Sequence, residues 1–209
     1  MYMWFLLIQV ACNSNNSTEP IPFSQKHANG QISIQGMQIG DSPTGPWTEW
    51  YEDGTVKAQY NFLEGLEHGQ RTLMYPNGQM FEKSHFKYGL QSGMMQQWYE
   101  DGTPSTETNF DKGVEQGIRK KWFANGQLES EATIVAGLQQ GRRQFWHENG
   151  QLKADGTFML DLKEGLEHTW NAQGQWIGSY CYSMNVQTEE WTPKTHTEPP
   201  SKESCPSSL

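Results

Sequence analysis

The sequence predicts an all-β fold: an elongated antiparallel meander of 24-residue β-hairpin repeats forming a single-layer sheet. Three observations predict it. The first is a glycine register: Gly30, Gly54, Gly78, Gly102, Gly126, Gly150 and Gly174 fall twenty-four residues apart, and Gly45, Gly69, Gly93, Gly117, Gly141 and Gly165 keep the same step without an insertion. The second is turn chemistry. Each glycine of the first series follows Asn or Asp, from Asn29-Gly30 to Asn149-Gly150, except the last, where Gln173 precedes Gly174; Asn-Gly and Asp-Gly are the dipeptides that tight hairpins favour. The third is alternation. Val56, Ala58, Tyr60 and Phe62 are separated by Lys57, Gln59 and Asn61, so one face of the strand is apolar and the other wet.

The bulk numbers agree. Of 209 residues only 34% are hydrophobic, yet there are 9 Trp, 8 Tyr, 9 Phe and 21 Gly, with a mean hydropathy of −0.80. Few aliphatics exclude a thick core, and so many aromatics exclude a disordered chain. A net charge of −9 speaks against nucleic-acid binding, which needs a basic surface.

The chain divides in order. Residues 1–11, "MYMWFLLIQVA", are apolar but far too short to span a bilayer, and read as a secretory signal cleaved before Cys12. Residues 12–28 then form a flexible tether, and residues 29–191 the repeat array of about six units, closed by a hairpin from Trp176 to Trp191. Each unit carries the Asn/Asp-Gly turn and a second, five-residue turn segment with glycine at both ends, such as "GLEHG" at 65–69. Runs of strand length separate the turns. Pro104 sits where a strand begins, the position a proline tolerates. No hairpin stands alone, so neighbouring units bury a Trp column, Trp50, Trp98, Trp122, Trp146 and Trp170, with Met74 in its gap. Residues 192–209 are a Pro/Ser/Thr-rich tail without periodicity, expected to be disordered. Cys181 and Cys205 either pair, tying the tail to the last repeat, or stay as free thiols.

No catalytic or metal-binding pattern emerges. The six histidines are scattered, "GLEH" at 65–68 and at 165–168 falls at different offsets in the repeat, and the carboxylates recur at turns. No cofactor is expected. Two surfaces are candidates for contact. Arg71, Met95, Arg119, Arg143 and Glu167 share one register position, and Lys120, Lys121 and Arg142 lie beside them. These cations either cover aromatic rings and balance nearby carboxylates or form a patch for an acidic partner. Tyr51, Tyr75, Tyr99 and Phe123 follow the Trp column by one residue, so one of the two sets should be core and the other an exposed aromatic stripe.

Trp98-Tyr99, Asp101-Gly102, Phe110, Gly113 and Gly117, with their counterparts over about residues 28–178, resemble the MORN-type repeat, and more closely the variant repeats of the bacterial YwqK family of antitoxin-like proteins. The N-terminus resembles a bacterial lipoprotein signal in Val10, Ala11 and Cys12, departing from it at Gln9 and in lacking a positive n-region. That resemblance implies lipidation of Cys12 and a bacterial cell-envelope location; an ordinary signal peptide would give secretion instead. Repeats of this type serve as scaffolds, so the expectation is a non-catalytic, envelope-anchored scaffold that binds an unknown protein partner. An antitoxin or immunity protein of the YwqK type and a glycan-binding module are the alternatives.

Overall fold

The computed structural model describes residues 18–201 together with Ser204 and Cys205. Seventeen strands among the described residues form one open antiparallel sheet in which neighbours in sequence are neighbours in space. They are β1 (Ile21–Lys26), β2 (Ile32–Ile39), β3 (Ser42–Trp50), β4 (Val56–Leu63), β5 (Leu66–Glu67), β6 (Gly69–Met74), β7 (Met80–Lys87), β8 (Leu90–Gln91) and β9 (Gly93–Trp98), followed by β10 (Pro104–Asp111), β11 (Val114–Trp122), β12 (Leu128–Val135), β13 (Leu138–Trp146), β14 (Leu152–Met159), β15 (Leu162–Trp170), β16 (Trp176–Ser183) and β17 (Val186–Trp191). Two of these are short: β5 and β6 both pair with β4, and β8 and β9 both pair with β7. Pro104 opens β10, and the closing hairpin is β16 with β17.

The two turns of a unit work differently. In the Asn/Asp-Gly turn only glycine takes a positive φ, 88° at Gly54, while the residue before it acts through its side chain. Asp53 Oδ1 accepts the Thr55 N–H at 2.8 Å, and Tyr51 N–H donates to Thr55 O at 2.8 Å. The second turn is not the five-residue segment that its flanking glycines suggest. It is a two-residue turn with both residues left-handed, Glu64 at 53° and Gly65 at 79°, the primed geometry that matches strand twist. The glycine four residues on, Gly69 or Gly117, lies inside the strand region with φ of 94° or 85°, where the pairing slips. Glu107 faces Lys120 but Asn109 faces Gln116, which is a bulge, and a bulge sharpens the local twist.

Consecutive units therefore touch along both edges. At the second-turn edge Gly89 N–H donates to Glu67 O at 2.8 Å, and Gly113 N–H to Gln91 O at 2.8 Å. At the first-turn edge Asn77 Nδ2 donates to Glu100 O at 3.0 Å and Asn125 Nδ2 to Glu148 O at 2.8 Å. Asp53 and Asp101 have no such hydrogen to give.

Three expectations need correction. Ile21–Lys26, read as part of a flexible tether, is β1: it pairs along β2, and its Phe23 ring lies 5.2 Å from that of Trp47. Alternation in "IPFSQK" gives it an apolar side to pack. The tail, read as disordered, turns at Thr192, whose carbonyl accepts from Thr195 and His196, and is joined through a Cys181–Cys205 disulfide with Cα atoms 5.6 Å apart. Finally, the Trp column is only half-buried. A single layer offers no second sheet to cover it. What is buried lies mid-strand and is mostly small: Ser84, Thr108, Ala132 and Ala154, with Trp47, Ile134 and Phe158 among the larger side chains.

Candidate interaction face

The apolar face of the strands is built from columns with the repeat period. Trp47, Arg71, Met95, Arg119, Arg143 and Glu167 form one column, and directly across the ladder from them stand Tyr60, Ser84, Thr108, Ala132, Gly156 and Tyr180. Within the array a long side chain thus lies opposite a small one and roofs it, which is how a one-layer sheet buries anything on this side. At Gly156 an added Cβ would come within 3.2 Å of Glu167 Cβ. Beneath Trp47 the tolerance is lower still, since a Cβ on Gly36 would overlap the indole.

The roofing cations are held in place by a repeated ion pair. Glu115 and Arg119, at 2.7 Å, flank the bulge glycine Gly117; Glu67 and Arg71, at 3.6 Å, flank Gly69. In a regular strand residues four apart stand about 13 Å apart, too far for a direct pair. The bulge shortens that span. In the third case the acceptor is neutral, Arg143 Nη1 donating to Gln139 Oε1 at 2.6 Å, and in the fourth the order of charges is inverted, Lys163 with Glu167 at 2.7 Å.

The densest cluster surrounds Glu82. Its carboxylate accepts from Arg71 at 3.0 Å, from Ser84 at 2.9 Å and from Gln97 at 3.0 Å. Burial opposes its ionisation, but the bonds from Gln97, Arg71 and Ser84 outweigh burial and hold the carboxyl below the ordinary glutamate value. Glu67 goes the other way: burial pushes it up, and the Arg71 pair only partly offsets that. Beside them Tyr60 donates to Glu49 at 2.6 Å, and burial together with that carboxylate drives its hydroxyl pKa well upward. Tyr60 and Phe62 line two adjoining open clefts, one of about 430 Å³ reaching Arg71 and Lys57, the other of about 330 Å³ reaching Phe23 and Trp47.

The sequence-derived patch is only partly available as a surface. The Arg71 guanidinium sits 4.5 Å from the centre of the Phe86 ring as well as on its two glutamates. That of Arg143 sits 4.2 Å from the Phe145 ring centre and 5.5 Å from that of Phe158, and burial lowers its pKa. Lys120 pairs with Glu131 at 3.7 Å, and Arg142 Nε donates to Asp155 at 2.9 Å. Of the cations expected to meet a partner, Lys121 and Arg142 are exposed, Arg142 while paired with Asp155. The cations are therefore chiefly ring covers and carboxylate partners.

The expected aromatic stripe is a row of staples. Tyr51 Oη donates to Met74 O at 2.7 Å, Tyr75 Oη to Trp98 O at 2.9 Å and Tyr99 Oη to Trp122 O at 2.6 Å, each reaching one unit onward. His27 and His147 occupy the same column and meet Trp50 O and Trp170 O at 2.9 Å. Phe123 has no hydroxyl to offer. The sequence locates the row, but hydrophobicity alone does not disclose its hydrogen-bonding role; His27 and His147 in a tyrosine column are the signal for it. The Glu-x-Gly-x-Arg spacing at 67–71 and 115–119 was the corresponding signal for the ion pairs.

Neither "GLEH" builds a Glu–His site. His68 stacks edge-on against Tyr88 with centroids 4.9 Å apart, and His168 Nδ1 meets Ser179 Oγ at 2.6 Å. Among the described residues no three His, Cys, Asp or Glu side chains are grouped to hold a metal ion, and no helix is long and apolar enough to cross a membrane. Cys12 lies outside the described residues.

A single-layer sheet of 24-residue hairpins, bulged at glycine and stapled along both edges, is a repeat module. Residues 43–64, 67–88, 115–135 and 139–159 match the family model of the MORN repeat variant, so these four stretches are MORN-variant repeats. No curated protein matches the chain. Between the second and third matches, β8 to β10 repeat the same strand–turn–strand pattern with Met95 where the neighbouring units carry arginine.

Proposed function

We propose that the chain is a non-catalytic scaffold, lipid-anchored through Cys12 at the bacterial envelope, that presents its roofed face to a protein partner. The observation that carries this reading is the fixed, solvent-facing relief around Tyr60, Phe62 and Lys57, where clefts with apolar floors are rimmed by ionised groups. Such a rim and floor suit a protein contact, with apolar anchors in the middle and charge around them. The aromatic rings here pack on each other, Trp47 against Phe62 at 78° between planes, rather than lying coplanar as a platform for sugar rings.

Native co-purification from the envelope fraction tests it, comparing the wild-type chain with Cys12→Ser and with Lys57→Glu. A stoichiometric protein partner is expected, relocated with the chain in Cys12→Ser and weakened in Lys57→Glu. Lys57 is the better handle than Arg71, whose reversal would place a third carboxylate beside Glu67 and Glu82. Recovery of the chain alone from the soluble fraction, or its retention on a polysaccharide resin without a protein partner, would overturn the proposal.

A further inference from the structure

Four of the first turns read Asn-Gly-Gln, at residues 29–31, 77–79, 125–127 and 149–151, and all are exposed to water. Glycine leaves the amide nitrogen that follows an asparagine unhindered, so in an open chain that nitrogen closes readily on the side-chain amide. The fold restrains it. In the turn at Asn125 the Gly126 N–H donates to Phe123 O and the Phe123 N–H to Gln127 O, both at 2.9 Å. Asn125 Oδ1 accepts the Gln127 N–H at 2.9 Å, and Asn125 Nδ2 donates to Glu148 O at 2.8 Å. The turns at Asn77 and Asn149 carry the same four bonds and one more. Tyr75 Oη is bonded to Trp98 O and His147 Nε2 to Trp170 O. Both residues also make two backbone bonds of their own turn, so a side chain clamped to the next unit clamps the turn with it. Phe123 has no such bond to give.

Asn125 is set apart in a second way. The two carboxylates that stand where other units carry this asparagine, Asp53 and Asp101, each have a tyrosine staple on the same step, Tyr51 to Met74 O and Tyr99 to Trp122 O. Asn125 has none, so among the described residues its bond to Glu148 O is the one side-chain hydrogen bond between that turn and the next. We propose that Asn125 is the array's site of self-deamidation, and that its conversion unclasps the sheet at this step. When the turn opens, the Gly126 nitrogen attacks Asn125 Cγ: the N–Cγ bond forms, the Cγ–Nδ2 bond breaks, and the Gly126 amide proton leaves with Nδ2 as ammonia. Water then adds to one or other carbonyl of the cyclic imide and opens it to aspartate or isoaspartate. Either product has lost the donor to Glu148 O and sets a negative charge beside that carbonyl; isoaspartate also lengthens the turn by one backbone carbon.

Peptide mass mapping of the full chain, held in mildly alkaline buffer, tests the site. Asn125 should convert about fivefold faster than Asn77 and Asn149, the factor that one hydrogen bond contributes to an opening equilibrium. Asn29 lies in the end hairpin and is no standard for the interior turns. In urea the three interior sites should convert at similar rates, because their Asn-Gly-Gln sequence is the same. Phe123→Tyr should slow Asn125 to the rate of its neighbours, and Tyr75→Phe should speed Asn77 alone by about fivefold. Asn125→Asp should raise amide exchange in the turns at 123–127 and 147–151, whereas Asn77→Asp, still held by Tyr75, should raise it less in its own pair of turns. Equal rates at the three sites in the folded chain, no response to Phe123→Tyr, or an equal rise in exchange in the two aspartate variants would overturn the proposal.

Discussion

Ile118 and Leu166 hold the same register position on the same face of the sheet, forty-eight residues apart, and meet different fates. Ile118, in β11, is 42% exposed; Leu166, in β15, is 7% exposed. Nothing in the local strand distinguishes them, since both follow the bulge glycine by one residue. The difference lies across the ladder. Leu166 faces Cys181, which is fully buried and bonded to Cys205, so the disulfide and the tail residue it holds lie over this end of the sheet. Ile118 faces Thr133 with no such cover. A one-layer sheet buries an apolar side chain on its wet face only where another segment is brought over it. The middle units rely instead on side chains of their own layer: the arginine roof, the Glu82 cluster and the tyrosine staples.

Breaking the cover should have the largest effect. Cys205→Ser removes a cross-link of sequence separation 24 and should cost about 3 kcal/mol by chain entropy. Its signature is local: amide exchange should rise in β15 and β16 towards the level of β11 and β12, which should not change. A uniform rise throughout would contradict the contrast between end and middle.

The middle is sharpened by Glu82→Gln, which should cost about 2 kcal/mol at neutral pH, the scale of a buried charged hydrogen-bond set. Its pH dependence has a fixed sign. The folded pKa of Glu82 is lowered from 4.5, so its contribution is present above that value and lost as pH falls through the lower folded one. Glu67 is raised, so the stability it contributes is present below 4.5 and lost as pH rises through its folded value, partly opposing Glu82 in that window. Thermal melts from pH 7 down to 3 should therefore show a shallower acid-side loss in Glu82→Gln than in the wild type. An equal slope would remove Glu82 from the account.

The smallest effect concerns the staples. Tyr99→Phe deletes the bond to Trp122 O and should cost about 1 kcal/mol, while Phe123→Tyr should gain a similar amount by restoring at Trp146 O the hydroxyl staple that Tyr99 gives Trp122 O. Urea midpoints suffice to compare the two, and a loss in both would show that the column is set by ring packing alone.

The meander, its period and its closing hairpin were legible because glycine and turn residues act locally, and a φ requirement is visible in one residue. The bulges were not. Gly69 and Gly117 read as the far ends of turns, because a glycine that breaks a strand and one that closes a turn look alike until the partner strand is in register. β1 was hidden by its distance from the repeat motif: its Phe23 matters through Trp47, which sequence spacing does not connect. At the candidate face, Arg71, Arg119 and Arg143 were found as a column. Their engagement with rings and carboxylates was one of the two readings the sequence left open; which carboxylates they meet was not legible, because that depends on the bulge that brings Glu67 and Glu115 within reach.

Each staple has a reach of one unit and no more. Tyr75 bonds to Trp98, Asn77 to Glu100, and Gly113 back to Gln91, and none of these contacts skips a boundary. Length in this chain is therefore a countable quantity. Cutting out or adding twenty-four residues between two equivalent glycines would leave both new neighbours with complementary edges, moving the closing hairpin nearer to or farther from β1 by one fixed step. A molecule organised in this way is a ruler whose graduations are written in the gene.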